Sequence, residues 1–244
     1  DVGLQLELSS AYIRLGNVQG NPNFSNLGDT AGTLESYDKA RMILETVLAA
    51  HPRHRSALLE AGRLYVLIGA QLLHAGQPLR SLELKRVALD HWRQLAQADP
   101  DDEQGARGLA AAHSEMATAT DEFLSPQERW NHGYQAKAIY EKLLQAHPSD
   151  AEKMRDLARV HKYLCGMCLT DADCFLDHAR TAADLDRRRV LTDPRNSIAQ
   201  LELAQSLGLI ATGWGKKGEF LKASSLARES ATLRRALWEA DPKD

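Results

Sequence analysis

The chain has 244 residues, and 30 Lys and Arg set against 33 Asp and Glu give a net charge of -3. A pI near 6.3 lacks the basic footprint of a duplex-binding protein, so nucleic acid is excluded as a partner class. Three cysteines are too few for a disulfide scaffold, and their odd number leaves at least one thiol unpaired within the chain. No apolar run approaches the roughly 20 residues of a membrane span, so no membrane contact is expected of this chain. It shows no signal peptide and begins at Asp1 rather than Met, which reads as an excised piece.

Proline punctuates the sequence. Five prolines follow His or Asp, at His51-Pro52, Asp99-Pro100, His147-Pro148, Asp193-Pro194 and Asp241-Pro242, with spacings of 48, 48, 46 and 48 residues. Proline is costly inside a helix and common just past its end, so each pair closes a unit. Pro22, Pro78 and Pro126 fall between these marks, where the turn inside a unit is expected. In chain order, Leu8, Tyr12 and Leu15 lie at i, i+4 and i+7, which makes one face of a first helix. The same places hold Ala61, Tyr65 and Ile68, then Leu109, His113 and Met116, then Leu157, His161 and Leu164, then Leu203, Leu207 and Ile210. Two small-residue columns accompany them, Gly16, Gly69, Ala117, Cys165 and Ala211, and Ser9, Gly62, Ala110, Ala158 and Ala204. A second helix in each unit carries Ala40, Ala88, Ala136, Ala182 or Ser230 and continues about two turns further, through Leu44, Trp92 and Tyr140 in the first three units.

These columns resemble the tetratricopeptide repeat, whose pattern runs from a large residue through Leu-Gly to Ala, an aromatic, Ala and a final Pro. Tyr12, Leu15, Gly16, Tyr37, Ala40 and Pro52 carry the likeness in the first unit, and Tyr65, Ile68, Gly69, Ala88 and Pro100 in the second. The family period is about 34, and an extra two turns on each helix bring it near 48 with every buried face in register, as in long-helix members such as kinesin light chains. The expectation is an all-α, right-handed solenoid of about five antiparallel helix pairs. It forms a single domain over 1–244, with units near 1–52, 53–100, 101–148, 149–194 and 195–242.

The first turn, from Gly20 to Thr30, exceeds its counterparts by about five residues and reads as an Asn-rich connection capped by Asp29 or Thr30. Asn23-Phe24-Ser25 in it fits a glycosylation sequon. The run from Ala11 to Pro22, followed by Asn26 to Gly32, resembles the start of the repeat region in certain bacterial transmembrane serine/threonine protein kinases. That likeness implies the sensory or scaffold portion of such a kinase, on the extracytoplasmic side of a bacterial membrane; otherwise the cytoplasm is expected. The kinase motifs themselves are absent from the sequence.

His161, Cys165, Cys168, Cys174 and His178 are the sharpest chemical cluster. The first three share a helix face and the last two open the next helix, so a four-ligand zinc site is conceivable. Cys165 and His161 are equally explained by the packing columns they occupy. Buried thiols are the expectation, with a Cys168–Cys174 disulfide or a bound metal as alternatives. No nucleophile, base and orienting group recur at useful spacing, and there is no phosphate loop, zincin motif or dinucleotide fingerprint, so neither an enzyme nor a cofactor is expected. Trp92, Trp130, Trp214 and Trp238 are expected in the core.

In tetratricopeptide-like stacks the first helices line a concave groove. Carried over, the partner-binding set is Ser10, Asn17, Arg63, Val66, Ser114, Arg159, Lys162 and Gln205, with Arg63, Arg159 and Lys162 giving mild positive character. Ile13 stands where a carboxylate clamp needs Lys, against that specificity. The functional expectation is a non-catalytic scaffold that binds a protein or peptide segment. A structural or self-associating module is the alternative, and a metal- or redox-sensing domain a third.

Overall fold

A computed structural model describes residues 1–21, 25–119, 123–168 and 170–240. The sequon residues Asn23 and Phe24, and the closing pair Asp241-Pro242, lie outside the described residues. Within them the chain is all-α, with ten helices and no strand. They are α1 (Val2–Gly20), α2 (Thr30–Ala50), α3 (Arg55–His74), α4 (Pro78–Ala98), α5 (Glu103–Ala117), α6 (Pro126–Ala146), α7 (Ala151–Met167), α8 (Ala172–Thr192), α9 (Ser197–Lys216) and α10 (Phe220–Ala240). Four of the consecutive pairs, α1–α2, α3–α4, α7–α8 and α9–α10, pack together in the tetratricopeptide-like manner, while α5 and α6 belong to different compact units. Every second helix has 21 residues, so the punctuation period is made of this constant helix, a shorter and more variable first helix, and the turns that join them.

The helix starts follow from local chemistry. Two residues past each internal punctuation proline stands an N-cap, in turn His54, Asp102, Asp150 and Asn196, whose side chain accepts a backbone N–H of the first turn. Pro78 and Pro126, expected in turns, instead open α4 and α6, where their missing N–H costs nothing. Gly76 and Gly218 end α3 and α9 at φ 72° and 76°, a left-handed cap that lets Gln77 and Glu219 donate back to Leu72 and Trp214. Asp29 caps α2, and the loop before it is held to α1, with Leu27 N–H donating to Val18 O (3.1 Å) and Asp29 N–H to Gln19 O (2.8 Å).

The chain comprises two compact units, Asp1–Ser125 and Pro126–Asp244. In the first, α3 packs on both α2 and α4, and α4 packs on α5. Both small columns are buried and let the ring of Tyr37 lie against Gly16. Trp92 is clasped between Gly62 of α3 and Gly108 of α5, where any side chain would collide with the indole. By length and composition α3 could cross a membrane, contrary to the expectation that no run would. Half of that window is buried inside the protein, because α3 is the central helix of its unit and apolar on more than one face.

In the second unit α6 to α10 repeat the scheme, α7 on α6 and α8, and α9 on α8 and α10. The end helices depart from the columns. Leu4, Leu8, Leu15 and Val18 of α1 are 66%, 47%, 48% and 57% exposed, whereas their equivalents in α3, Ala57, Ala61, Ile68 and Gln71, are buried. Trp238 is exposed, contrary to expectation, on a face of α10 that no described helix covers. Trp92 is buried, and Trp130 and Trp214 are half-buried against the core of the second unit.

Candidate functional site

The sequence-derived groove positions divide into those free to bind and those already engaged. In the second unit a concavity of about 570 Å³ opens between α7, α9 and α10, lined by Lys162, Tyr163, Gln205, Gly208, Leu209, Thr212 and Arg234. Lys162 and Gln205 are among the expected residues. In the first unit Ser10 lines a second hollow of about 460 Å³ with Leu6, Glu7, Arg14, Ser56 and Glu60. The Ser10 hydroxyl donates to Glu60 Oε1 at 2.6 Å, so this hollow is acidic at its floor. Arg63 and Arg159 are exposed beyond both hollows, Val66 packs on the core of the first unit, and Ser114 donates back to its own helix at Ala110 O (3.0 Å).

Two of the expected binding residues also make structural contacts. Asn17 accepts from the Tyr37 hydroxyl at 2.6 Å and from Asn21 Nδ2 at 2.8 Å, so its amide oxygen fastens α1 to α2 and to the first turn. Lys162 reaches inward to the carboxylate of Asp186 (2.8 Å) and to Glu202 O (3.1 Å). Its ammonium belongs to a chain of charges through α7, α8 and α9. Asp186, fully buried, also accepts from Arg189 (3.1 Å) and Ser206 (2.7 Å). Arg189 pairs onward with Glu202, which meets Arg155 at 2.8 Å. Burial pushes the Glu202 carboxyl up, but the two guanidiniums outweigh it and hold the group below its usual range. This network occupies the core places held by Leu44 and Val47 in α2 and by Trp92 and Leu95 in α4.

The cysteine–histidine cluster assembles at the α7–α8 turn. Cys168 and Cys174 form a disulfide with Cα atoms 5.7 Å apart, correcting the expectation of buried thiols. The two helix ends bring the side chains together: Cys168 is the C-cap of α7, and Cys174 lies in the first turn of α8 behind the cap Asp171. Cys165 is free and buried, its Sγ 3.5 Å from Phe175 O, and burial pushes its thiol up to about 12. It is a packing residue, as its column implies, and not a member of the ligand set. His161 and His178 face each other with Nδ1 atoms 3.0 Å apart, and the Tyr134 hydroxyl stands 3.5 Å from His178 Nε2. Burial, then the neighbouring His178 and Lys137, bring His161 down to about 3. Burial lowers His178 as well, so both rings are neutral at pH 7.

Tyr163, Leu209 and Arg234 were not picked out from the sequence. For Arg234 a signal existed: it occupies the same place in α10 as Leu44, Trp92, Tyr140 and Asp186, buried in the four earlier second helices. A long cation in a column otherwise buried marks the point where the core gives way to a solvent-facing wall. For Tyr163 the signal was weaker, an aromatic one place past a groove position with no recurring column behind it.

The sequence matches no protein-family profile and no curated protein. The fold is shared with solved helical-repeat structures. S. pombe nuclear import adaptor Nro1 superposes with a TM-score of 0.64 at 13% identity over 100% of this chain and 83% of that one. BtubC (BKLC) from P. vanneervenii gives 0.60 at 13% identity, over 97% and 92%. MamA from Desulfovibrio magneticus RS-1 gives 0.54 at 13% identity, over 96% of each chain. At such identities the likeness is one of fold: tetratricopeptide-like helix pairs.

Proposed function

We propose that the chain is a non-catalytic module that binds a protein or peptide segment in the concavity of its second unit. The observation that carries this reading is the composition of that hollow. An exposed Tyr163, the apolar Leu209, the amide of Gln205 and the guanidinium of Arg234 surround a floor kept open at Gly208, where an added side chain would meet Ser230 and Arg234. An aromatic anchor beside a cation and an amide suits an extended segment with an acidic or carbonyl-rich face. Selection from a displayed random-peptide library on the immobilised chain tests it. Enrichment of acidic sequences on the wild type, lost with Gly208→Leu and weakened with Arg234→Glu, is expected. Equal enrichment on wild type and Gly208→Leu would refute the site.

The context we infer is the repeat region of a larger bacterial serine/threonine kinase, resting on the likeness carried by Ala11 to Pro22 and Asn26 to Gly32. Under this reading the chain faces the extracytoplasmic side, where a disulfide such as Cys168–Cys174 persists. The coding sequence upstream of Asp1 decides it: a kinase domain and spanning helix support the reading, and an initiator Met directly before Asp1 overturns it. A second reading, self-association, is favoured by the exposed stripe Leu4, Leu8, Leu15 and Val18 on α1 and by Phe220, Leu221 and Trp238 on α10. Light scattering of the wild type and of Leu8→Glu with Leu15→Glu separates the two, since only self-association predicts a mass that falls to one chain in the variant.

A further inference from the structure

The cluster at the α7–α8 turn has more chemistry than a staple needs. One atom each of Cys168, Cys174 and His178 lies within 4.8 Å of the others. Cys174 and His178 are four residues apart on α8 and so project from one face, while Cys168 closes α7 opposite them. His161, buried on α7, sets its Nδ1 3.0 Å from Nδ1 of His178. The disulfide spans only six residues, and a loop so short restrains the unfolded chain less than a long one. Half-buried Cys174 sits in the first turn of α8.

We propose that Cys168, Cys174 and His178, with His161 beside them, form a redox-gated site for a thiophilic divalent cation, Zn²⁺ in the first place. As the disulfide the site is closed to metal. A dithiol reductant opens it: two electrons pass into the Cys168–Cys174 bond, the reductant becomes a disulfide, and its two thiol protons end on the freed sulfurs. The cation then displaces those two protons to solvent and takes two thiolates and a neutral imidazole, with His161 or a water in the fourth place. Tetrahedral ligands at about 2.3 Å for sulfur and about 2.0 Å for nitrogen stand roughly 3.3–3.8 Å from one another. The 4.8 Å span of the three donor atoms is close to that set, and the two histidine nitrogens at 3.0 Å are closer still. Phe175, Leu176 and Ala179 surround the site with apolar side chains that limit water access.

Cobalt titration of the full chain tests this. After anaerobic reduction with a phosphine and its removal, Co²⁺ is added with and without prior reoxidation. One equivalent should bind the reduced chain with thiolate-to-cobalt charge-transfer absorption and tetrahedral ligand-field bands, and Zn²⁺ should bleach both. The oxidised chain should show neither. Cys168→Ser and Cys174→Ser should each remove most of the charge-transfer band, and His178→Ala should shift the ligand-field bands. His161→Ala should weaken binding by about tenfold or more. Cys165→Ala should leave the spectrum unchanged. A reduced wild type that keeps its helical circular dichroism but develops no charge-transfer absorption overturns the proposal. So does a spectrum that depends on Cys165 and not on Cys168. Because the wild type alone can give the refuting result, misfolding of a variant does not shelter the idea.

Discussion

Asp186→Ala is the sharpest test of how the second unit is held together. The carboxylate is fully buried and accepts from Lys162, Arg189 and Ser206 at 2.8, 3.1 and 2.7 Å. Its removal leaves Arg189, almost wholly buried, with only Glu202 to balance it, and strands Lys162 and the Ser206 hydroxyl. Breaking a buried pair from one side costs about 3–5 kcal/mol, because the surviving charges remain out of water. At roughly 2–4 °C per kcal/mol for a chain of this size, the melting temperature should fall by about 6–20 °C. The same physics predicts that replacing Asp186, Arg189, Lys162 and Ser206 together by apolar residues is milder, since Glu202 keeps its pair with Arg155. The chain itself supplies the template for three of the four: Leu44, Val47 and Val66 stand at the places of Asp186, Arg189 and Lys162. Asp186→Leu combined with Arg189→Val, Lys162→Val and Ser206→Ala should restore stability to within about 1–2 kcal/mol of the wild type, or exceed it. Urea unfolding followed by circular dichroism, without reductant so that Cys168–Cys174 stays closed, gives both numbers. A cost below about 1 kcal/mol for Asp186→Ala, or an apolar quadruple variant as unstable as the single one, would refute the reasoning.

Gly16→Ala should destabilise by about 1–3 kcal/mol, since the added Cβ would stand 2.5 Å from the buried Tyr37 ring. Gly215→Ala, with open space around its Cβ position in α9, should stabilise by up to about 1 kcal/mol, and thermal melts of the two compared with wild type check the contrast. His91 is held below its usual 6.5 chiefly by burial, despite the acidic Asp90 and Glu45. The unfolded chain therefore takes up the proton first as pH falls, so its contribution is complete above 6.5 and declines below it. His91→Phe should accordingly be less acid-sensitive than wild type in urea midpoints measured between pH 7 and 5. Asp102 is depressed below its usual 3.8, first by the Arg55 guanidinium and then, against the opposing effect of burial, by the N–H groups it caps on α5. Its contribution is present above 3.8 and lost as pH falls through its folded value. Asp102→Asn, which keeps the cap, should cost roughly 1 kcal/mol or less at pH 7 because Arg55 is half exposed, and the gap to wild type should close in acid.

The repeat was readable because burial imposes the same demand in every unit. Where two helices approach closely only small residues fit, so Gly16, Gly69, Ala117, Cys165 and Ala211 recur although no unit copies another. The caps were equally local: a residue two places after each internal proline accepts from the helix it precedes. Surface positions obey no such local rule. Whether Asn17 faces a partner or Tyr37 depends on a hydroxyl twenty residues away, and whether Lys162 faces solvent or Asp186 depends on a carboxylate on the next helix. Periodicity places both on a first helix, and what lies opposite decides their role. The disulfide was undecided for a similar reason, since a spacing of six is compatible with thiols, a bridge or metal ligands until the C-cap of α7 and the first turn of α8 are seen to converge.

One column shows how the chemistry of a repeat changes without loss of its fold. Its members are Leu44, Trp92, Tyr140, Asp186 and Arg234. The first two fill the core of the first unit with apolar mass, and Tyr140 is likewise buried in the second unit. At Asp186 burial persists but becomes ionic, so the side chain now requires Lys162, Arg189 and Ser206 around it. That requirement draws the Lys162 ammonium inward and leaves Tyr163 and Gln205 to form the walls of the hollow. At Arg234 the column turns to solvent and supplies the cation of the same hollow. The backbone period is unchanged throughout, because each of these side chains satisfies the same helix geometry. Arg234→Leu, which restores apolar character at the last place of the column, should therefore weaken peptide capture while leaving the melting temperature unchanged or higher.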